Sequence, residues 1–438
     1  MKYVFTLLTF LGVQLASAQT ELTLSLDQAL DMATQKNVTM LNASLDIAYA
    51  ETQVNEIKAQ GLPQISGSTD FSHTFKIPTQ IIPGDFVGQP GTTIATQFGV
   101  PFNINAGIGA SQLLFDGSFF LGLKAASEFV NISKLSASAS EIDIKEGVTK
   151  AYYMALISEQ NLSQLNTSLE NIKKLQSETE QLYNAGFAEK LDVDRLTLSV
   201  ANLEININKL QNQAKLAKQL LLNSIGVDVN QEITLTSELP DEPVSDSNVS
   251  DFNPENRIEI KLLDQQQELN QLSLKRYKMG YVPSLYGNFS YGSSTFASDG
   301  DFDKLGDDWY GNGRYAVSLS VPIFDGFYKK AKMDQVKIDI EKTENTKRQA
   351  ILGMNLQVAQ AKTNYVNALK TIELQKKSQD LAERIYNTTS IKFKEGIGSS
   401  FEMINAESEL TQAKTNYLNA LYELNVAKID LNKALGLL

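Results

Sequence analysis

Leu113-Leu114-Phe115-Asp116-Gly117 and Pro322-Ile323-Phe324-Asp325-Gly326 each end a β-like stretch and run on into a very long helix-favouring segment. Asp116 and Asp325 lie 209 residues apart, and two later landmarks, Gly186 and Gly396, lie 210 apart. A register kept over so long a stretch marks an internal duplication, which has to be read before any shorter motif. The 438 residues are accordingly read as a first copy over residues 19–236, a second over 253–438, and an acidic connector at 237–252 carrying Pro240 and Pro243.

Each copy is expected to open with a helix, over residues 24–60 and 253–279, and to break at Leu62-Pro63 or Val282-Pro283. After the break the period switches to two. Ile65, Gly67, Thr69, Phe71 and Phe75 alternate with Gln64, Ser66, Ser68, Asp70 and Thr74, and Leu285, Gly287, Phe289 and Tyr291 alternate with Ser284, Asn288 and Ser290. In the returning strand Tyr315, Val317, Leu319, Val321 and Ile323 share one face, with Ala316, Ser318 and Ser320 on the other. Strands of about ten residues, apolar on one side and small and polar on the other, fit a membrane β-barrel. An ordinary antiparallel sheet on a soluble core fits the alternation equally. Residues 76–101 and 295–313, rich in Gly, Pro, Asp and Thr, read as loops.

Residues 117–183 and 326–393 contain no proline. A helix of that length is a rod of about 100 Å. Polar turns follow at Asn184-Ala185-Gly186-Phe187 and Lys394-Glu395-Gly396-Ile397-Gly398. The return helices carry a heptad seam: Leu196, Val200, Leu203, Ile207, Leu210, Ala214, Ala217 and Leu221 in copy one, and Ala406, Leu410, Ala413, Tyr417, Ala420, Leu424, Ala427 and Leu431 in copy two. Steps of four and three mark helices packed in long, nearly parallel contact.

At the N-terminus Lys2, an apolar run over residues 3–15 and Ala16-Ser17-Ala18 have the layout of a cleavable secretory signal over residues 1–18, with Gln19 as the first mature residue. The run is too short for a membrane anchor helix, and no downstream stretch is long and apolar enough to be one. Any spanning must be done by strands. The absence of cysteine excludes disulfides and thiol chemistry. A net charge of −12 argues against nucleic acid as a partner. His73, the only histidine, cannot build a triad or a histidine metal site by itself, and the methionines are scattered, so neither an enzyme nor a cofactor is expected. Asp299, Asp301, Asp303, Asp307 and Asp308 invite a calcium reading. Lys304 and Tyr310 stand where an EF-hand needs glycine and glutamate, which favours a solvated loop with Trp309 and Tyr310 as a rim girdle.

Four strands per chain cannot span lipid as an open sheet, because bare edges leave backbone groups unbonded. Closure takes at least eight strands, hence two or more chains. At each barrel-to-helix joint, Asp116 or Asp325 is placed to cap the helix, and Gly117 or Gly326 to permit the bend.

The proline opening each first strand, the paired Phe-Asp-Gly and the turns at Gly186 and Gly396 together resemble the TolC-like family of bacterial outer-membrane efflux proteins, over essentially the whole mature chain. The resemblance implies a mainly α chain with membrane β: duplicated helical hairpins forming a trimeric α-barrel continuous with a shared 12-stranded β-barrel, four strands per chain. It implies the outer membrane of a Gram-negative bacterium and a long periplasmic extension. It also implies a homotrimer serving as exit duct of a tripartite system, partnered by a periplasmic adaptor at the hairpin tips (Gly186, Phe187, Gly396, Ile397) and an inner-membrane transporter. In the family two aspartates ring the periplasmic entrance, with a tyrosine and an arginine as latch. The matching positions are Glu402 and Asn405, and Phe393 and Gly398, so one acid remains and both latch groups are absent. Asp192, Asp194 and Arg195 of copy one are candidates to replace the latch, and converging Glu402 carboxylates would favour cations. Two rivals stand beside efflux: the outer-membrane component of type I protein secretion, and a soluble periplasmic coiled-coil scaffold without a pore.

Overall fold

A computed structural model describes residues 22–239, 252–298 and 301–438; the signal segment, Asp299, Pro240 and Pro243 lie outside these described residues. The chain runs β1 (Leu22–Leu24), α1 (Leu26–Lys36), α2 (Val38–Gln60), β2 (Gln64–His73), β3 (Thr79–Pro83), β4 (Thr93–Gln97), β5 (Phe102–Phe115), α3 (Gly117–Asn184) and α4 (Lys190–Ile225). It continues with β6 (Ile233–Leu235), α5 (Ile258–Met279), β7 (Ser284–Ala297), β8 (Tyr310–Ser320), α6 (Tyr328–Lys394) and α7 (Ser400–Leu435). The fold is mainly helical, and α3 and α6, at 68 and 67 residues, are unbroken.

Several sequence expectations are corrected. The helix expected over residues 24–60 is two helices, parted at Asn37, which is extended at φ −62 and ψ 129. Its Oδ1 accepts from the Thr39 N–H at 2.8 Å and its Nδ2 donates to the Ser224 carbonyl at 2.7 Å, bonds that compete with the helical ladder. The helix expected from residue 253 begins at Ile258, after a short turn opened by Pro254. β8 ends at Ser320, before Pro322, which has no N–H to donate. The stretch 76–101 is more than a loop: β3 and β4 pair antiparallel within it.

The molecule divides into two compact units, each drawing on both sequence copies. The unit formed by residues 46–134 and 262–347 holds an antiparallel sheet in the order β2-β5-β7-β8. Its register sets the faces. One face carries rows such as Ile65, Ala110, Phe289, Tyr315 and Gly67, Ile108, Tyr291, Gly313. The other carries Ser66, Gly109, Ser290, Arg314 and Asp70, Asn105, Ser294, Tyr310. On this polar face Ser294 Oγ donates to Asn105 Oδ1 at 2.7 Å, Ser72 Oγ to Asn103 Oδ1 at 2.6 Å, and Asn288 Nδ2 to Ser318 Oγ at 3.2 Å. The apolar face stays open, with Tyr315 85%, Ile65 75% and Val317 71% exposed.

In the same unit Asp116 Oδ1 accepts from the N–H groups of Ser118 (2.7 Å) and Phe119 (3.3 Å), the geometry of a helix cap. Gly117 is already the first residue of α3 and is absent from the positive-φ residues, so it does not supply a bend. What favours glycine there is proximity, since a Cβ would meet the Met279 side chain at 3.3 Å, tighter than ordinary contact. In the second joint Gly326 is left-handed, at φ +65, and so is Phe327, at φ +66. Asp325 Oδ2 accepts from the Lys329 N–H and from Lys329 Nζ, both at 3.1 Å.

The other unit contains α1, α4, α7, parts of α3 and α6, and the main core. β1 and β6 pair in parallel there. Tyr152, fully buried, donates its hydroxyl to the Leu24 carbonyl at 2.9 Å and accepts from the Ser237 N–H at 3.0 Å, tying β1 and the segment just after β6 to α3. Around it pack Leu24, Val148, Leu221, Ile225, Leu424 and Leu431. An ion network locks the end of α7 to α3: Lys433 reaches Asp143 at 2.6 Å and Glu146 at 2.5 Å, and Lys150 reaches Glu146 and Asp430, both at 2.5 Å. Burial alone would raise the Glu146 carboxyl, but the bonds and charges of Lys150 and Lys433 outweigh it and hold the group below its ordinary 4.5.

Candidate functional site

The two hairpin turns close in the same way. Gly186, at φ +84, donates its N–H to Tyr183, and Phe187 donates to Leu182; Gly396, at φ +75, donates to Phe393, and Ile397 to Lys392. This 6→1 and 5→2 pattern ends each outgoing helix with a left-handed residue that only glycine takes without cost. The apolar residue after each glycine points outward, Phe187 82% and Ile397 79% exposed.

The return helices begin four residues further on. Ser399 caps α7 through Oγ, which accepts from the Glu402 N–H at 3.2 Å. Glu189 takes the same position before α4 without a side-chain cap. Asp192 and Glu402 both fall in a first helical turn, where the helix dipole favours a carboxylate.

The first turns of α4 and α7 are clasped together. Ser400, 4% exposed, donates its hydroxyl to Asp192 Oδ1 at 2.6 Å. The Arg195 guanidinium sits 5.2 Å from the centre of the Phe401 ring. Of the sequence candidates, the structure therefore joins Asp192 and Arg195 to α7, but through Ser400 and Phe401. Asp194, Glu402 and Asn405 are exposed.

Behind the clasp lies a cavity of about 620 Å³ walled by α3, α4 and α7, with Arg195, Phe401 and Asn405 at one end and Ser168, Glu407 and Thr411 further in. Thr411 Oγ1 donates to Ser168 Oγ at 3.0 Å. Glu407 is 3% exposed; its Oε1 accepts from Asn171 Nδ2 at 3.4 Å, and its Oε2 has no hydrogen-bond partner. Burial, with the Glu407 carboxylate beside it, pushes the Tyr386 phenol up to about 12.

Ser400, Phe401 and Glu407 were missed in the sequence reading. Two local signals existed: Ser399 followed three residues later by Glu402 is a helix-start pattern that puts Ser400 in a first turn, and Glu407 interrupts an apolar face built by Met403, Ala406 and Leu410; nothing local marks Phe401 or the partner of Ser400. No metal-binding group of three or more His, Cys, Asp or Glu occurs among the described residues. Asp301 is instead paired with Lys304 at 2.9 Å.

The chain, with its duplicated hairpins whose return helices start side by side and its antiparallel sheet with one apolar face, matches one family model, the outer membrane efflux protein, over residues 29–227 and 258–437. The chain belongs to that family. As a member it is an outer-membrane protein of TolC type. The outer membrane protein TolC of Salmonella enteritidis is 21% identical over 431 residues, covering 94% of this chain and 82% of TolC. Among solved structures, the CmeC outer membrane channel of Campylobacter jejuni superposes with a TM-score of 0.72 at 15% identity, over 94% of this chain and 85% of that one. The MtrE outer membrane channel of Neisseria gonorrhoeae, crystallised in its open state, gives 0.70 at 18%, over 94% and 88%. At these identities the structures speak for the fold alone. No helix among the described residues is long and apolar enough to cross a membrane.

Proposed function

We propose that three copies of this chain form a passive exit duct, conducting substrates from periplasm to exterior when docked to a periplasmic adaptor and an inner-membrane transporter. The observation that carries this reading is the four-stranded sheet with two unpaired edges and an open apolar face. Alone in lipid such edges would cost several kcal/mol per unbonded group. Three sheets sharing their edges make a closed barrel of twelve strands, with the apolar face toward lipid and the Ser/Asn face toward the lumen.

The duct does no chemistry, and the pump supplies the energy. Phe187 and Ile397, with Gly186 and Gly396 behind them, form the adaptor contact. Three Glu402 carboxylates converge near the entrance and bias passage toward cations. The clasp of Asp192 with Ser400 and of Arg195 with Phe401 holds the entrance shut, and opening separates α4 from α7. The test is the mass and outline of the detergent-extracted particle by light scattering and negative-stain images. Three chains in a tube is the expected result, and a monomer recovered without detergent would overturn it. Gene deletion then separates cargoes: sensitivity to drugs or detergents marks small-molecule efflux, and loss of an extracellular protein marks secretion.

A further inference from the structure

β2 and β8 are the two edges of the sheet. Across all four strands only two residues are charged, Asp70 in β2 and Arg314 in β8. They have opposite signs, lie on opposite edges and share the polar face, since Arg314 stands in the row of Ser66 and Asp70 is four residues further along β2. Within one chain they are out of reach: three strand spacings and four residues put them about 20 Å apart. Neither has an ion-pair partner among the described residues.

We propose that Arg314 of one copy pairs with Asp70 of the next, and that this pair sets the register in which three copies close. The inference rests on the trimeric barrel and adds the contact by which one copy recognises another.

Two independent features of the strands agree with this register. Setting Arg314 opposite Asp70 brings Ser320 opposite Gln64 and Gly311 opposite His73, so the whole of β2 is covered by β8 and Tyr310 alone extends beyond it. It also sets large against small on the apolar face, Phe71 against Gly313 and Val317 against Gly67, while Asn312 meets Ser72 and Ser318 meets Ser66 on the polar face. Aromatic side chains packed over glycines stabilise a strand pair that would otherwise lack contact.

The register also closes a barrel of ordinary shape. A row perpendicular to the strands leaves β2 at Ser66 and reaches the next β2 at Asp70, a stagger of four residues per chain. Four residues rise about 13.6 Å while four strand spacings span about 19 Å. The tilt is the angle whose tangent is their ratio, about 35°, inside the observed range for barrels. A slip of two residues would break the end-to-end match and leave the charges on a diagonal.

Backbone polarity fixes the geometry of the pair. The Thr74 N–H donates to the Pro101 carbonyl at 2.7 Å, so even-numbered residues of β2 bond toward β5. On its free edge Asp70 is thus a non-hydrogen-bonded position, where facing Cα atoms come to about 4.5 Å and side chains lie closest. An ion pair there fixes one register among several, because a slip leaves both charges unpaired.

The chain has no cysteine, so cross-linking has no background. The full-length double variant Asp70→Cys/Arg314→Cys, extracted in detergent and mildly oxidised, is expected to give covalent trimers on non-reducing gels. Ser66→Cys/Arg314→Cys, displaced by four residues across the seam, is expected to give none. Cross-linking of the second pair and not the first would overturn the register. Trimers by light scattering with neither pair cross-linked would also overturn it, leaving the duct reading intact, whereas a monomeric mass would overturn both. A charge exchange tests the pair itself. Arg314→Asp loses SDS-resistant trimer, and Asp70→Arg/Arg314→Asp regains it; a double variant no better than the single refutes an ion pair at the seam.

Discussion

Arg195→Ala tests whether the clasp at the start of the return helices controls opening. The variant removes a guanidinium held 5.2 Å from the centre of the Phe401 ring. A cation over an exposed ring contributes about 0.5–1 kcal/mol. If the entrance opens as a unit, three chains lose roughly 1.5–3 kcal/mol together, which multiplies the open-to-closed ratio roughly 10- to 150-fold. Ser400→Ala should act in the same direction and more strongly, since a hydrogen bond to a charged group contributes about 1.5–3 kcal/mol per chain and Ser400 is buried. The assay is single-channel current across planar bilayers, scored as open-state occupancy. Lys190→Ala is the control: it removes one positive charge from the start of the same helix, five residues before Arg195. Occupancy unchanged in Arg195→Ala and Ser400→Ala, or shifted equally by Lys190→Ala, would refute the clasp.

Glu402→Gln should leave open occupancy unaltered while lowering the cation-to-anion permeability ratio, read from reversal potentials in a salt gradient; an unchanged ratio removes Glu402 from the constriction. Tyr152→Phe leaves the Ser237 N–H without its acceptor and the Leu24 carbonyl with the Thr236 N–H alone, at about 1–3 kcal/mol, seen as a lower urea midpoint. Glu146 contributes stability through a depressed carboxyl pKa, so its contribution is full above 4.5 and is lost as pH falls through its lower folded value. Thermal melts at falling pH should converge for Glu146→Gln and the parent. Lys433 is raised above 10.5: burial lowers it, and Asp143 and Glu146 more than compensate. Its contribution is therefore present below 10.5 and fades as pH rises through the folded value, so Lys433→Met should cost less stability in strong base than at neutrality.

The duplication, the long helices and the strand alternation were legible because each is a periodic signal, and periodicity survives without knowledge of partners. The α7 seam illustrates this. Seven of its eight positions are buried, Tyr417 being half-buried, as a four-three repeat demands. What sequence could not supply was pairing between distant segments. Asp192 and Arg195 were visible as charges at a helix start, but their partners Ser400 and Phe401 are ordinary residues more than 200 positions away. Gly117 was legible as a glycine and misread as a hinge, because the close approach of Met279 is a tertiary fact. The break at Asn37 was hidden for a similar reason, since one of its two stabilising bonds runs to Ser224.

The two return helices differ in a way that bears on assembly. Along α7 the seam is almost fully covered within one chain, whereas along α4 Val200, Leu203, Ile207 and Leu210 are only half-buried, and Leu198 and Ile205 are 63% and 64% exposed. Repeats that kept the same seam would be expected to bury it equally if each chain were complete by itself. Apolar surface left open along one helix marks a face that something else covers. The sheet leaves the same kind of gap, two unbonded edges and one charge on each. On the trimeric reading proposed above, a neighbouring copy would cover both. If that is so, Leu198→Ser and Ile205→Ser should weaken the trimer and leave the seam of α7, and with it the fold of the chain, in place.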